Sequence, residues 1–203
     1  RWAELLEVEL GVMQQIQGEP IERLVRVETF PCVDKVIAKY LHKEVKNETI
    51  TTEKVESIVD DRRNKIFFGV AQHTINAMLE ARRLFEDIEK KMAGLSITSA
   101  DEGFKMYIND LYVIDQHYRH FFHEAKLAES TNLVNDLIPK VEQTYTNKFL
   151  SVLANKWQPI VDAMDKWQIT GVSTQRSFFS THVSPFIQKG KRIFVIISDA
   201  LRY

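Results

Sequence analysis

A single cysteine, Cys32, excludes an internal disulfide framework and a cysteine-based zinc cage. Seven glycines and five prolines among 203 residues leave little material for the turns of a β-rich fold, and so favour helices. No apolar run approaches the length of a bilayer span, which excludes an integral membrane segment. An excess of one charge sign is missing too. The 27 Lys and Arg oppose 28 Asp and Glu, for a formal net charge of −1. Bulk electrostatics therefore give no reason to expect a nucleic-acid or membrane partner. Internal repeats, low-complexity segments and sustained heptads are also absent, which excludes a long coiled coil. The chain opens on Arg1, with neither an initiator methionine nor a signal peptide, and Arg1 to Glu7 reads as the inside of a helix. Both ends read as cut, and a cytoplasmic setting is the expectation.

What is present is helical periodicity. At 44% hydrophobic and 27% charged residues the composition excludes disorder and supplies a sizeable core. A first helix is expected to end near Gly18, before Pro20, and a second segment runs from Ile21 to Phe30. Beyond Pro31, a helix over Val33–Val45 places Val33, Val36, Ile37, Tyr40 and Leu41 on one face. Thr51 or Thr52 is placed to cap a helix running from Lys54 to Asn64, with Glu53 and Glu56 in its first turn. Val70 to Met92 carries the clearest stripe, and Gly94 follows as a C-cap glycine. A polar loop over Ser96–Asp101 precedes an aromatic-rich helix from Phe104 to Leu127, with Tyr107, Tyr112, Tyr118, Phe121 and Phe122 at core spacing. Ser130 or Thr131 starts the next helix. Pro139 kinks or splits it, Pro159 interrupts a later one, and Gly171 closes that unit. A last helix from Thr174 to Lys189 leads through Gly190. The expected architecture is mainly α: about seven to nine helices over residues 1–189, followed at 190–203 by the start of a different domain.

That start is the segment Gly190-Lys-Arg-Ile-Phe-Val-Ile-Ile-Ser-Asp-Ala-Leu-Arg-Tyr203. Ile193 to Ile197 is a continuous apolar run of the kind found in strands buried on both faces of a parallel sheet. Asp199 just beyond it stands where open α/β sheets place their ligand chemistry. A carboxylate there can bind a divalent cation or orient a nucleophile, or it can cap the following turn. Ser198 lacks the Gly-x-Ser-x-Gly setting of a nucleophile elbow. Nothing nearby resembles a phosphate-binding glycine loop.

Two further constellations carry candidate chemistry. His117, His120 and Glu124 fall at i, i+3 and i+7, on one narrow helix face. They either hold a metal or form the polar side of an amphipathic helix, and the absence of His-Glu-x-x-His favours the polar side. The basic residues Arg62-Arg63, Arg82-Arg83 and Lys90-Lys91 could line a phosphate-binding surface. Acidic neighbours interleave them, so a solvated face is the expectation.

Several stretches together resemble a known family. The ending from Phe186 to Tyr203, closing on Ser-Asp-Ala-Leu-Arg, looks like the entry into a PglZ domain. Upstream support comes from Phe30-Pro with Asp34, Arg62-Arg63 before Phe67-Phe68, and Tyr112-x-Ile-Asp-x-x-Tyr-Arg-x-Phe121. Val141-Glu-x-x-Tyr-x-Asn147 and Gln175-x-x-Phe-Phe-x-x-x-Val-x-Pro-Phe186 add to it. The pattern is similar to the PglZ type A proteins of bacterial BREX phage-defence systems. The resemblance implies an alkaline-phosphatase-like domain beginning near Gly190 and truncated here, with Asp199 as a metal ligand. It leaves the role of Arg202 open between phosphate binding and an ion pair. It implies a divalent metal, zinc or similar, in the full-length protein and none bound by this chain alone, which lacks the nucleophile and the other ligands. Other BREX components are the implied partners; DNA is a further candidate that net charge does not support. The alternative is a helical interaction or scaffold module without catalysis.

Overall fold

The computed structural model describes residues 2–129 and 131–196. Every regular element among them is helical, so the fold is mainly α. In chain order the α-helices are α1 (Trp2–Glu9), α2 (Val12–Gln15), α3 (Ile21–Leu24), α4 (Cys32–Lys46), α5 (Thr52–Arg63) and α6 (Gln72–Met92). They continue with α7 (Ala100–Met106), α8 (Tyr112–Leu127), α9 (Asn132–Thr144), α10 (Ser151–Asp162) and α11 (Ser184–Gln188). Two compact units emerge, Arg1–Leu95 with Val113–Asn155, and Ser96–Tyr112 with Lys156–Tyr203.

The first unit is organised around α6, which packs against α4, α5 and α9. Its apolar stripe puts Ile75, Met78, Leu84 and Ile88 out of solvent. Facing it are Ile37, Leu41 and Val45 of α4, Val55 and Ile58 of α5, and Leu137 and Val141 of α9. Each such side chain contributes about 1.5–3 kcal/mol by leaving water, so these three- and four-residue spacings decide which helix faces meet. Thr51 caps α5 by accepting a hydrogen bond from the Lys54 amide at 3.3 Å.

In the second unit Ser99 caps α7, its hydroxyl accepting from the Glu102 amide at 3.2 Å. Glu102 reaches back to accept from the Thr98 amide at 2.8 Å, so two orphan donors are satisfied reciprocally. Gly103 of α7 meets the Trp157 ring, and Trp157 meets Trp167 edge-on with centroids 6.2 Å apart. Asp101 fastens the chain beyond α10 by accepting from the Thr170 amide at 2.7 Å.

The elements differ from the sequence expectation at several places. The first helix breaks at Gly11, whose φ of 59° is left-handed, so α1 and α2 replace one helix reaching Gly18. Between Ile21 and Phe30 only the single turn α3 forms. Pro139 and Pro159 both lie inside helices, α9 and α10, without splitting them. Each ring forfeits one backbone hydrogen bond that flanking turns tolerate, and in α9 buried Leu137 and Val141 bracket the proline. Helix α10 ends at Asp162, so Val161, Met164 and Trp167 do not share one helix. The expected helix over 174–189 is a series of short turns ending in α11, with Pro185 in that helix's first turn.

Residues 191–196 have no regular structure, and no strand lies among the described residues to pair with Ile193–Ile196. Ile197 to Tyr203 lie outside the described residues.

Candidate functional site: an ionic relay and a buried arginine

The three residues that sequence spacing placed on one face of α8 go to three different partners on α6: Glu80, Asp87 and His73. His117 Nδ1 lies 2.7 Å from Glu80 Oε2, and its Nε2 lies 3.5 Å from Asp87. His120 Nδ1 is 3.7 Å from the same Glu80 oxygen. Glu124 instead meets His73 Nδ1 at 2.7 Å. The other Glu80 oxygen accepts from Arg83 at 2.8 Å, and Arg83 donates from Nε and Nη2 to Glu56 of α5 at 3.0 and 2.6 Å. An ionic relay thus runs Glu56, Arg83, Glu80, His117, Asp87 and ties α5, α6 and α8 together. Burial disfavours the charged Glu80 carboxylate, yet the His117 hydrogen bond and the Arg83 guanidinium together hold its pKa below the ordinary carboxylate range. Among the described residues no group of three or more His, Cys, Asp or Glu side chains is arranged to hold a metal ion.

The basic residues expected to be solvated are not all so. Arg62 is fully buried with Asp34. Its Nε and Nη2 donate to the two Asp34 oxygens at 2.9 and 2.6 Å, the bidentate fork geometry of the strongest ion pairs. Its Nη1 donates to the backbone carbonyls of Val25, at 3.2 Å, and Val27. One guanidinium therefore satisfies a carboxylate on α4 and two carbonyls of the segment following α3. Arg82 is also buried and lies 3.7 Å from Glu86. Asp60 and Arg63 do face solvent, 3.3 Å apart.

Of the aromatic run, only Phe121 is fully buried. Tyr118 stacks on Tyr145 with centroids 3.9 Å apart and planes 14° apart. Tyr145 donates to Asp115 at 2.5 Å. The motif residues Asp115, Tyr118 and Tyr145 are thus held by each other. Ser198, Asp199 and Arg202 lie outside the described residues.

Two pairs of motif stretches far apart in sequence, around Asp34 and Arg62 and around Tyr118 and Tyr145, meet in space. Comparison with known proteins finds relatives by sequence. The chain is 31% identical, over 203 residues and 99% of its length, to the alkaline phosphatase-like protein PglZ of Bacillus cereus (strain H3081.97). The chain is thus homologous to a PglZ protein along almost all of its own length. A second relative, the alkaline phosphatase-like protein BrxZ of Escherichia coli O9:H4 (strain HS), is 32% identical over 165 residues and 76% of this chain. The matches span 24% of the PglZ protein's length and 19% of BrxZ's. No protein-family model and no solved structure matches. No helix among the described residues is long and apolar enough to cross a membrane.

Proposed function

We propose that this chain is the helical part, with the first strand, of a metal-dependent phosphatase-like hydrolase of a bacterial BREX antiphage system. The observation that carries the reading is the match along 99% of the chain to a protein named alkaline phosphatase-like. The segment Ile193 to Asp199 adds to it, as an apolar run closed by a carboxylate, the donor chemistry a hard or borderline divalent cation takes. When bound, such cations supply a deprotonated nucleophile and neutralise charge on the phosphoryl oxygens. Asp199 would be one ligand. The relay and the buried pair hold α4, α5, α6 and α8 together.

One carboxylate cannot assemble a two-cation site, so the chain alone is expected to be inactive toward phosphate esters. Its full-length parent is expected to hydrolyse an aryl phosphomonoester or phosphodiester with added zinc or manganese. Asp199→Asn in that protein should lower turnover by roughly a hundredfold or more, the scale of losing an electrostatic stabiliser of the transition state. Unchanged turnover in Asp199→Asn removes Asp199 from the site. No turnover in the unaltered full-length protein with any divalent metal replaces the enzyme reading with that of a scaffold.

A further inference from the structure

The second unit leaves large apolar side chains in solvent over one short stretch of sequence. Phe178 and Phe179 on the turns leading into α11, and Phe186 and Ile187 on α11 itself, are 45–61% exposed, and Phe194 and Ile196 just beyond are 83% and 93% exposed. Two of these six, Phe178 and Ile196, line one groove of about 500 Å³ together with His182 and Val195, and the other four lie on the same short stretch between residues 178 and 196. An apolar surface concentrated in this way marks a face that something covers. The surrounding charge is one-sided as well. Residues 168–196 contain Arg176, Lys189, Lys191 and Arg192 and no Asp or Glu, in a chain whose net charge is −1.

Resting on the phosphatase-like reading above, we propose that this face docks in cis against the remainder of the phosphatase-like domain of the same polypeptide, on an apolar patch rimmed by carboxylates. Three observations select that occupant. The curated relatives devote 76% or more of their length to sequence outside this match, enough to supply the covering surface. The exposed residues run directly into Ile193–Ile197, the segment read as that domain's first strand, so the covering surface is tethered a few residues away and its effective concentration is high. The groove also presents aliphatic Val195 and Ile196 beside its aromatic ring, which suits a protein core better than a base-stacking surface.

Hydroxyl-radical footprinting of the full-length protein tests this, with the fully buried Phe121 and Phe149 as internal references. Phe179, Phe186 and Phe194 should label about as slowly as those two, roughly tenfold or more below an exposed phenylalanine. Phe179→Asp in the full-length protein should raise labelling of Phe186 and Phe194 several-fold and leave Phe121 unchanged. Fast labelling of Phe179 and Phe186 in the full-length protein overturns the proposal. So does protection that appears only as protein concentration rises, which assigns the face to a second copy, or only when duplex DNA is added. None of these readouts depends on turnover. Loss of activity in the preceding experiments with protection intact would refute the enzyme reading and not the docking.

Discussion

Arg62 and Asp34 form a bidentate ion pair with neither side chain accessible to solvent, joining the last turn of α5 to the first turn of α4. Removing one partner leaves an uncompensated buried charge, which costs about 3–5 kcal/mol. Arg62→Met and Asp34→Leu singly should each destabilise the chain by about that much in urea unfolding. The double variant Asp34→Leu/Arg62→Met should recover part of the loss. It will not recover all of it, because the Val25 and Val27 carbonyls also lose their donor. A double variant less stable than either single one would show that the pair is not acting as a unit.

Both members of that pair were legible in the sequence, though not by the signal used. Asp34 stands three, four and seven residues before the buried Ile37, Ala38 and Leu41, and Arg62 seven, four and three after the buried Val55, Ile58 and Val59. Two opposite charges on the apolar faces of neighbouring helices predict a buried pair, whereas the run Asp60–Lys65 taken alone predicts a solvated one. The long helices α4, α5 and α6 were readable because their stripes are unambiguous. The region after Asp162 was not, since its turns are short and their periodicity is weak. Pro139 does not split α9 because packing of its buried neighbours Leu137 and Val141 outweighs one lost hydrogen bond, whereas α10 carries Pro159 with no buried residue to account for it. The relay through His117 escaped for a different reason: its partners Glu80, Asp87 and Arg83 are remote in sequence, and only the packing of α8 brings them together.

Acid should weaken the relay. The Glu80 pKa is depressed below its ordinary value of 4.5 in the folded state. Its stabilising contribution is therefore fully present above that value and is lost as pH falls through the depressed one. Glu80→Gln should be less stable than the parent at pH 6, and the gap should shrink as pH falls below about 4.5. Chemical denaturation across pH 3–7 measures it. A gap independent of pH would mean that Gln fails for reasons of packing alone.

Gly103 permits no larger residue while Trp157 is in place. A Cβ built there would lie 2.1 Å from one Trp157 ring carbon and 2.8 Å from Ile97 Cγ2. Gly103→Ala should destabilise the second unit by about 1–3 kcal/mol, outweighing the gain in helix propensity. Gly103→Ala combined with Trp157→Leu should be less damaging than the two single effects added together. Additive effects in thermal unfolding would show that the two residues do not share that space.

Cys32 should be inert in the folded chain. Burial, followed by the neighbouring Glu7 carboxylate, pushes its thiol up to about 12. At pH 8 the thiolate is then roughly one part in ten thousand. An aromatic disulfide reagent should label it only at the rate of local or global opening, and rapid stoichiometric labelling in native buffer would refute the burial. The Cys32 amide donates to Glu7 at 2.8 Å, so Glu7→Gln weakens the link between α1 and α4 and should speed labelling.

The placement of the three tryptophans makes the molecule its own spectroscope. Trp2 is 80% exposed, so its emission barely changes when the first unit melts. Trp157 and Trp167 both belong to the second unit; Trp167 is 59% exposed and meets Trp157 edge-on, so the change on melting comes chiefly from Trp157, whose ring lies against Gly103. Intrinsic fluorescence therefore follows the second unit, while far-ultraviolet dichroism follows the long helices of the first. Whether the two halves of this chain melt together or in sequence can be read from one sample, without a label.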